Sequence, residues 1–302
     1  MPRLEDMEIF IRVMDAGSIS AAAERLGIAK SAVSRRIAEL EERLGAQLFR
    51  RTTRRLNPTE AARQFYARAV HILADADEAE QAVADSHRTL RGTLRVAVPL
   101  SFGLLHLAPA IEDFGKQHPQ VGFDLDFNDR QVDLVAEGFD VALRIAELSD
   151  STLMARCLAP IRMVTCASPD YLAAHGAPAS PDELGNHRCL TYSLAADPAS
   201  WTFVDAQGKR RKVRVPSVMQ ANNGDFLVQA AVAGCGITRQ PSFIAFEAIR
   251  AGRLVPVLCD FRGPDLSAYA VYPHTRHLSQ RVRSFVDYLV ERFAGVPYWD
   301  VV

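Results

Sequence analysis

The chain has 302 residues, 48% of them hydrophobic and 24% charged, with a formal net charge of −1. That is the composition of a folded globular chain long enough for two or more domains, and it excludes collagen-like or disordered classes. No apolar run approaches the roughly 18 residues of a membrane-spanning helix, so no membrane partner is expected. The opening Met1-Pro2-Arg3-Leu4-Glu5-Asp6 runs into an acidic helix rather than a signal segment, and the expected location is the cytoplasm. The near-neutral total hides an asymmetry: residues 30–58 hold eight Lys/Arg against three Glu, whereas residues 92–302 hold twenty Lys/Arg against twenty-two Asp/Glu. A basic patch of that kind implies a polyanion partner for one domain only.

In chain order, residues 4–16 form a first helix whose Leu4, Met7, Phe10, Ile11, Val13 and Met14 supply an apolar side. Two short helices follow, one burying Ala22, Ala23 and Leu26, the other Val33, Ile37, Leu40 and Leu44. Gly27-Ile28-Ala29 makes the corner between them. Ser18 or Ser20 can cap the first of the pair and Ser31 the second. This spacing suits a helix-turn-helix whose second helix enters the DNA major groove. Lys30, Ser31, Ser34, Arg35 and Arg36 stay outside the apolar stripe and form a set of donors and cations for phosphates and base edges. Ser18 and Ser20 join them as candidate contacts. The plain alternative is a solvated helix pair packed on a larger domain. Arg50, Arg51, Arg54 and Arg55, with Thr52-Thr53 between, read as a wing that grips the backbone.

From Thr59 one long helix is predicted up to Gly92, capped by Thr59. The heptad-spaced row Ala62, Ala69, Ala76, Val83, Leu90 suggests a seam that a second helix approaches closely. A lone amphipathic helix lying on the next domain is the other reading. Beyond Gly92 alternating strands and helices argue for an α/β domain with mainly parallel pairing. Strands are predicted at 93–98, 121–127, 141–145, 163–167, 213–221, 235–238 and 268–272. Helices are predicted through Leu107 to Phe114, at 132–137, 169–175 and 225–233, and from about Ser279 to Phe293. Pro297–Val302 reads as a surface tail.

The residues Phe10-x-x-Val13-x-x-x-Gly17-Ser18-x-Ser20-x-Ala22-Ala23-x-x-Leu26 resemble the first half of the LysR-type transcriptional regulator signature. Ala32-Val33-Ser34-x-x-Ile37-x-x-Leu40-Glu41-x-x-Leu44-Gly45-x-x-Leu48-Phe49-x-Arg51 resembles its second half. Thr59-Glu60-Ala61 is similar to the start of that family's linker helix, with Ala62 where Gly is usual. Later, Asp133-Leu134-Val135-x-Glu137-Gly138-x-Asp140-Val141-Ala142 and Gly234-x-Gly236-Ile237 are similar to passages of the family's effector domain. The resemblance implies an α/β chain with an all-α winged helix-turn-helix N-terminal domain at 1–58 and a dimerisation linker helix at 59–91. It implies a two-lobed, periplasmic-binding-protein-like α/β domain at 92–302: lobe I about 92–164 and 267–302, lobe II about 165–266. The crossovers are then expected near Val164–Cys166 and Asp265–Ser267. The implied partners are double-stranded promoter DNA, a small-molecule effector such as a carboxylate, further copies of the chain as dimer or tetramer, and RNA polymerase.

Ser101 follows a strand that ends at Pro99 and opens a helix, where free N–H groups favour anions. It also serves simply as a cap. Asn222-Asn223-Gly224-Asp225 repeats this strand-end, helix-start order, and Asn128 closes a strand of the first lobe. Ligands of α/β sheets gather at such strand ends. Ser101, Asn128, Asn222 and Asn223, with Phe102 and Met219 as apolar wall, are therefore the expected effector contacts. Arg144 either clamps an acidic ligand, or snorkels or pairs with a neighbouring acid.

Five cysteines without a Cys-x-x-Cys pair, and histidines without ligand spacing, point to no disulfide framework and no metal. The cysteines read as small buried side chains, with a redox-sensing pair of the kind some relatives use as the alternative. No Gly-x-Ser-x-Gly elbow, phosphate-binding Gly loop or His-Glu-x-x-His is present, so neither a cofactor nor catalysis is expected. The rival readings are a solute-binding protein, which leaves the first ninety residues without a use, and an α/β enzyme with an accessory DNA-binding head.

Overall fold

Short helices with one apolar stripe each are stable only when those stripes bury one another. The computed structural model describes residues 3–51, 56–84, 90–147, 154–273 and 278–300. It folds as two units, Met1–Gly92 with Asp133–Phe139, and Thr93–Val132 with Asp140–Val302. In the first, α1 (Leu4–Ala16), α2 (Ile19–Leu26) and α3 (Lys30–Leu44) share one core of Phe10, Val13, Ala22, Ala23, Val33, Ile37 and Leu40. Gly27 ends α2 with φ of 67°, a left-handed turn that other residues adopt reluctantly. Ser18 caps α2 by accepting the Ala21 N–H. The N-cap of α3 is Ala29, not Ser31, which lies inside the helix and exposed.

The strands β1 (Phe49–Arg51) and β2 (Leu56–Pro58) pair antiparallel as a hairpin. Thr59 then accepts the Ala62 N–H at 3.2 Å and starts α4 (Glu60–Ala84). Residues 85–89 of the expected longer helix lie outside the described residues. Two positions of the heptad row are closed, whereas Ala76 is half-buried. Ala62 and Ala69 are both fully buried within the chain, Ala62 in the three-helix core. Small residues allow close approach, but here the chain's own elements make it.

The second unit continues with β3 (Gly92–Val98), α5 (Leu100–Phe102), a π-helical turn (Gly103–Leu107), α6 (Ala108–Gln117), β4 (Val121–Phe127), α7 (Leu134–Glu137, grouped with the first unit), β5 (Val141–Ala146) and β6 (Met154–Ile161). Next come β7 (Met163–Ala167), α8 (Pro169–His175), β8 (Cys189–Tyr192), the hairpin β9 (Ser200–Val204) and β10 (Arg210–Arg214), and β11 (Ser217–Ala221). The chain ends with α9 (Gly224–Val232), β12 (Ile237–Pro241), α10 (Ser242–Arg250), β13 (Val255–Val257), β14 (Leu266–Tyr272) and α11 (Gln280–Arg292). Two five-stranded sheets result, in the orders β4-β3-β5-β14-β6 and β11-β8-β12-β7-β13. The expected strand at 213–221 is two strands, broken at Pro216, which cannot donate to a ladder.

Pairing is mixed rather than mainly parallel. β3–β5, β8–β11 and β8–β12 run parallel, whereas β14 opposes both β5 and β6, and β7 opposes both β12 and β13. Parallel neighbours need a crossover helix. The chain passes from β6 to β7 through Arg162 alone and returns through residues 258–265, so no helix turns it round at either passage. The first passage falls just before the expected Val164–Cys166, which lies within β7.

The lobes are also joined by aromatic rings. Phe102 and His106, before α6, meet Phe243 of α10, and Trp299 from the C-terminal 3₁₀ turn packs on all three. Trp299 is 2% exposed, so the expected surface tail is in fact anchored in this cluster. His106 faces the Phe243 carbonyl at 3.3 Å and the Tyr298 hydroxyl at 2.5 Å. Burial pushes its pKa down to about 4, against the opposing hydrogen bond to Phe243 and the charge of Asp225. Above about pH 6.5 the ring is neutral folded and unfolded. Between there and pH 4 only the unfolded chain gains the proton, so stability falls as pH falls. The stability to denaturant, followed through tryptophan fluorescence, should lose at most about 3 kcal/mol across this window from this residue. His106→Phe should flatten the loss; a parallel decline in both proteins would assign it to other groups.

Candidate nucleic-acid interface and effector cleft

On α3 the stripe Val33, Ile37 and Leu40 points inward, which leaves Lys30, Ser31 and Arg35 exposed and Ser34 half-buried on the outer side. Ser20 is exposed on α2, whereas the Ser18 hydroxyl is engaged at the cap. Arg35 lies 3.8 Å from Glu39, an exposed pair worth little in water. Arg36 is different. Its Nη1 donates to Asp6 at 2.9 Å and to Glu5 at 3.1 Å, so it turns towards α1 rather than outward as expected. A guanidinium within reach of a buried carboxylate is held there by charge-assisted bonds. Burial works against the ionised Asp6, but the bond from Arg36 and the charge of Arg43 outweigh it and hold its pKa below the usual carboxylate range.

The wing is pinned from α3. Glu41 accepts the N–H groups of Leu48 at 2.7 Å and Phe49 at 3.0 Å, fixing where β1 begins. Arg50 is exposed on that strand. Arg51 lies in β1, its side chain outside the described residues, as are Thr52, Arg54 and Arg55 altogether.

At the carboxyl ends of the strands, the start of α5 and the start of α9 meet directly. Ser101, 5% exposed, donates to the Asp225 carboxylate. Asp129 accepts the Leu100 N–H at 2.9 Å with one oxygen and the Tyr192 hydroxyl at 3.0 Å with the other. Burial first, then the charge of Asp129, raises the Tyr192 pKa and keeps the phenol protonated as donor. Asn223 caps α9 by accepting the Phe226 N–H at 2.8 Å. At each helix start one N–H that was expected to be free for an anionic ligand, that of Leu100 and that of Phe226, is therefore met by a side chain of the chain itself. Asn128 donates to Asp126 at 2.5 Å and accepts from the Arg130 N–H at 3.2 Å. Asn222 is exposed.

Phe102 does not form a cleft wall. It is 1% exposed, its ring committed to the aromatic cluster. Met219 is half-buried against the core between the second sheet and its helices. Arg144 donates to the Val132 carbonyl at 2.8 Å, a backbone partner rather than the neighbouring acid expected. Among the described residues no group of His, Cys, Asp and Glu could hold a metal, and no helix is long and apolar enough to cross a membrane. Cys166 and Cys189 are buried, with thiols pushed up to about 12, whereas Cys157 and Cys259 are exposed and Cys235 is half-buried.

Sequence reasoning missed Asp6, Glu41, Asp129 and Tyr192. Each is an ordinary residue of its segment, and its partners lie 7 to 63 positions away. Only the adjacency of Asp225 to the Asn222-Asn223-Gly224 turn gave a signal.

Two family models match the chain: the bacterial regulatory helix-turn-helix protein of the lysR family over residues 4–63, and the LysR substrate binding domain over residues 87–294. An HTH-type transcriptional regulator of Haemophilus influenzae is 36% identical over 282 residues, covering 93% of this chain and 98% of that one. The HTH-type transcriptional regulator CrgA of Neisseria meningitidis is 37% identical, covering 96% and 97%. The structure of CrgA, a LysR-type transcriptional regulator, superposes with a TM-score of 0.62 over 96% of this chain and 99% of that one, at 36% identity. The full-length Vibrio cholerae virulence activator AphB gives 0.60 over 96% and 99%, at 27% identity.

The Tyr192–Asp129 bond ties the second sheet to the loop after β4. Tyr192→Phe should lower stability to denaturant by about 1.5–3 kcal/mol, as for a bond to a charged group. An unchanged unfolding midpoint would mean that water replaces the phenol without loss.

Proposed function

Because the chain belongs to the LysR family of transcriptional regulators, with a helix-turn-helix head and a substrate-binding effector domain, we propose that α3 reads promoter DNA through Ser34 and Arg35. Lys30, Ser31 and the Arg50–Arg55 wing contact phosphates. The observation that carries this reading is the division of α3: its apolar stripe is buried, and its outer side offers exposed donors and cations. Ser101, Asn128, Asn222 and Asn223, together with Asp129, Asp225 and Tyr192, form the effector site between the lobes. The effector is a small polar metabolite, such as a carboxylate, that exchanges its own bonds for those of Ser101 with Asp225 and Tyr192 with Asp129. Occupancy then shifts the population of lobe arrangements. The regulator works in the cytoplasm and meets RNA polymerase at the promoter.

The family resemblance implies self-association, and α4 is the proposed contact. With Ala62 and Ala69 buried in the chain, the exposed large apolar side chain of α4 among the described residues is Ile72, 42% exposed and one heptad after Phe65. Ile72→Glu should place like charges across such a seam and shift sedimentation towards monomer. An unchanged profile at micromolar concentration would put the subunit contact elsewhere.

The DNA reading is tested on a duplex selected by the protein from a random pool and on a scrambled duplex. Arg35→Ala should cost about 1–3 kcal/mol on the selected duplex and little on the scrambled one. Equal losses on both would remove Arg35 from base readout.

A further inference from the structure

Asp6 is 2% exposed in the first turn of α1, where a helix N-terminus favours an anion. One of its oxygens accepts from Arg36 at 2.9 Å and the other from Arg43 at 2.5 Å. Arg36 and Arg43 are seven residues apart on α3, two turns or about 10.5 Å along the axis. Both side chains must therefore converge on one carboxylate, and each remains one-third exposed. A slip of α3 by one turn, about 5.4 Å, would break both bonds together. The stripe Val33, Ile37 and Leu40 decides which face of α3 is inward; the shared carboxylate decides how far along α1 the helix sits.

The same contact removes charge from the DNA-facing head. Of the four cations on α3 (Lys30, Arg35, Arg36 and Arg43), two point to Asp6. We propose that Asp6 is a positioning residue that sets DNA specificity: it fixes the register of α3 and withholds Arg36 and Arg43 from the phosphates. Phosphate contacts strengthen binding to every sequence alike, each steepening the salt dependence by about 0.9 in log–log slope. Two arginines released onto the backbone would raise affinity for any DNA while α3 loses its fixed offer of Ser34 and Arg35. The inference rests on the reading that α3 faces DNA. It differs from an ordinary stabilising ion pair, whose loss would weaken all binding equally.

The test uses the full-length protein, the selected and scrambled duplexes, and anisotropy titrations over a range of salt. Asp6→Asn keeps the shape and one acceptor but removes the charge. Its scrambled-duplex affinity should rise, its salt slope should steepen by about 1–2 per head, and the ratio of selected to scrambled affinity should fall about tenfold. Arg43→Gln should leave scrambled-duplex affinity and slope unchanged, because that cation does not reach DNA. Equal weakening of Asp6→Asn on both duplexes at constant slope overturns the proposal, as does a shallower slope in Arg43→Gln. If Arg35→Ala alters selectivity while Asp6→Asn leaves ratio and slope unchanged, α3 faces DNA and Asp6 has no part in specificity. If Arg35→Ala weakens both duplexes alike, the reading of α3 itself has failed.

Discussion

Burial of Val33, Ile37 and Leu40 against α1 and α2 is the constraint from which the DNA-binding head follows. Each such side chain taken from water contributes about 1.5–3 kcal/mol. A domain this small has little apolar surface besides. Rotating α3 to hide its outer face instead would bury Lys30 and Arg35 without partners, at a cost of several kcal/mol each. The helix therefore has one stable orientation, and its polar side is outward because no other arrangement is affordable in water.

Carboxylates then do the finer positioning throughout the chain. Asp6 spans two arginines, Glu41 takes two backbone N–H groups of the wing, and Asp129 joins a helix start to a phenol across the lobes. In each case one carboxylate has both oxygens or one oxygen shared by two donors, so a single side chain couples two elements. Such bonds are directional, whereas apolar contact is not. In the effector domain this has a consequence for ligand chemistry. The Leu100 N–H, the Ser101 hydroxyl and the Phe226 N–H already hold internal partners, so a ligand that takes these donors exchanges bonds rather than filling unsatisfied ones. Net affinity is set by the difference between the two sets.

The ring cluster of Phe102, His106, Phe243 and Trp299 lies between the two sheets' helices and ties them through apolar packing. Changes of lobe arrangement must repack these rings or pivot about them, since a close-packed interior moves between discrete arrangements.

Residue order alone determined the helix-turn-helix, its inward stripe, the α/β alternation after Gly92 and the family, because these depend on local periodicity and on motifs contiguous in the chain. Local capping was legible for Ser18 and Thr59, whose partners are three residues away. What only the tertiary structure decided were the partners of side chains that meet from distant positions. Arg36 looked like Arg35 in sequence, and its bond to Asp6, thirty residues away, is what turned it inward. Phe102 looked like a pocket wall until Phe243 and Trp299 closed over it, and Ala62 and Ala69 of the α4 row were covered by the chain itself. Strand direction belongs to the same class: β6 and β7 are separated by Arg162 alone, and alternation of strands and helices carries no information about which way the chain re-enters a second sheet. Periodicity reports which face of an element is apolar; only the assembled fold supplies what covers it.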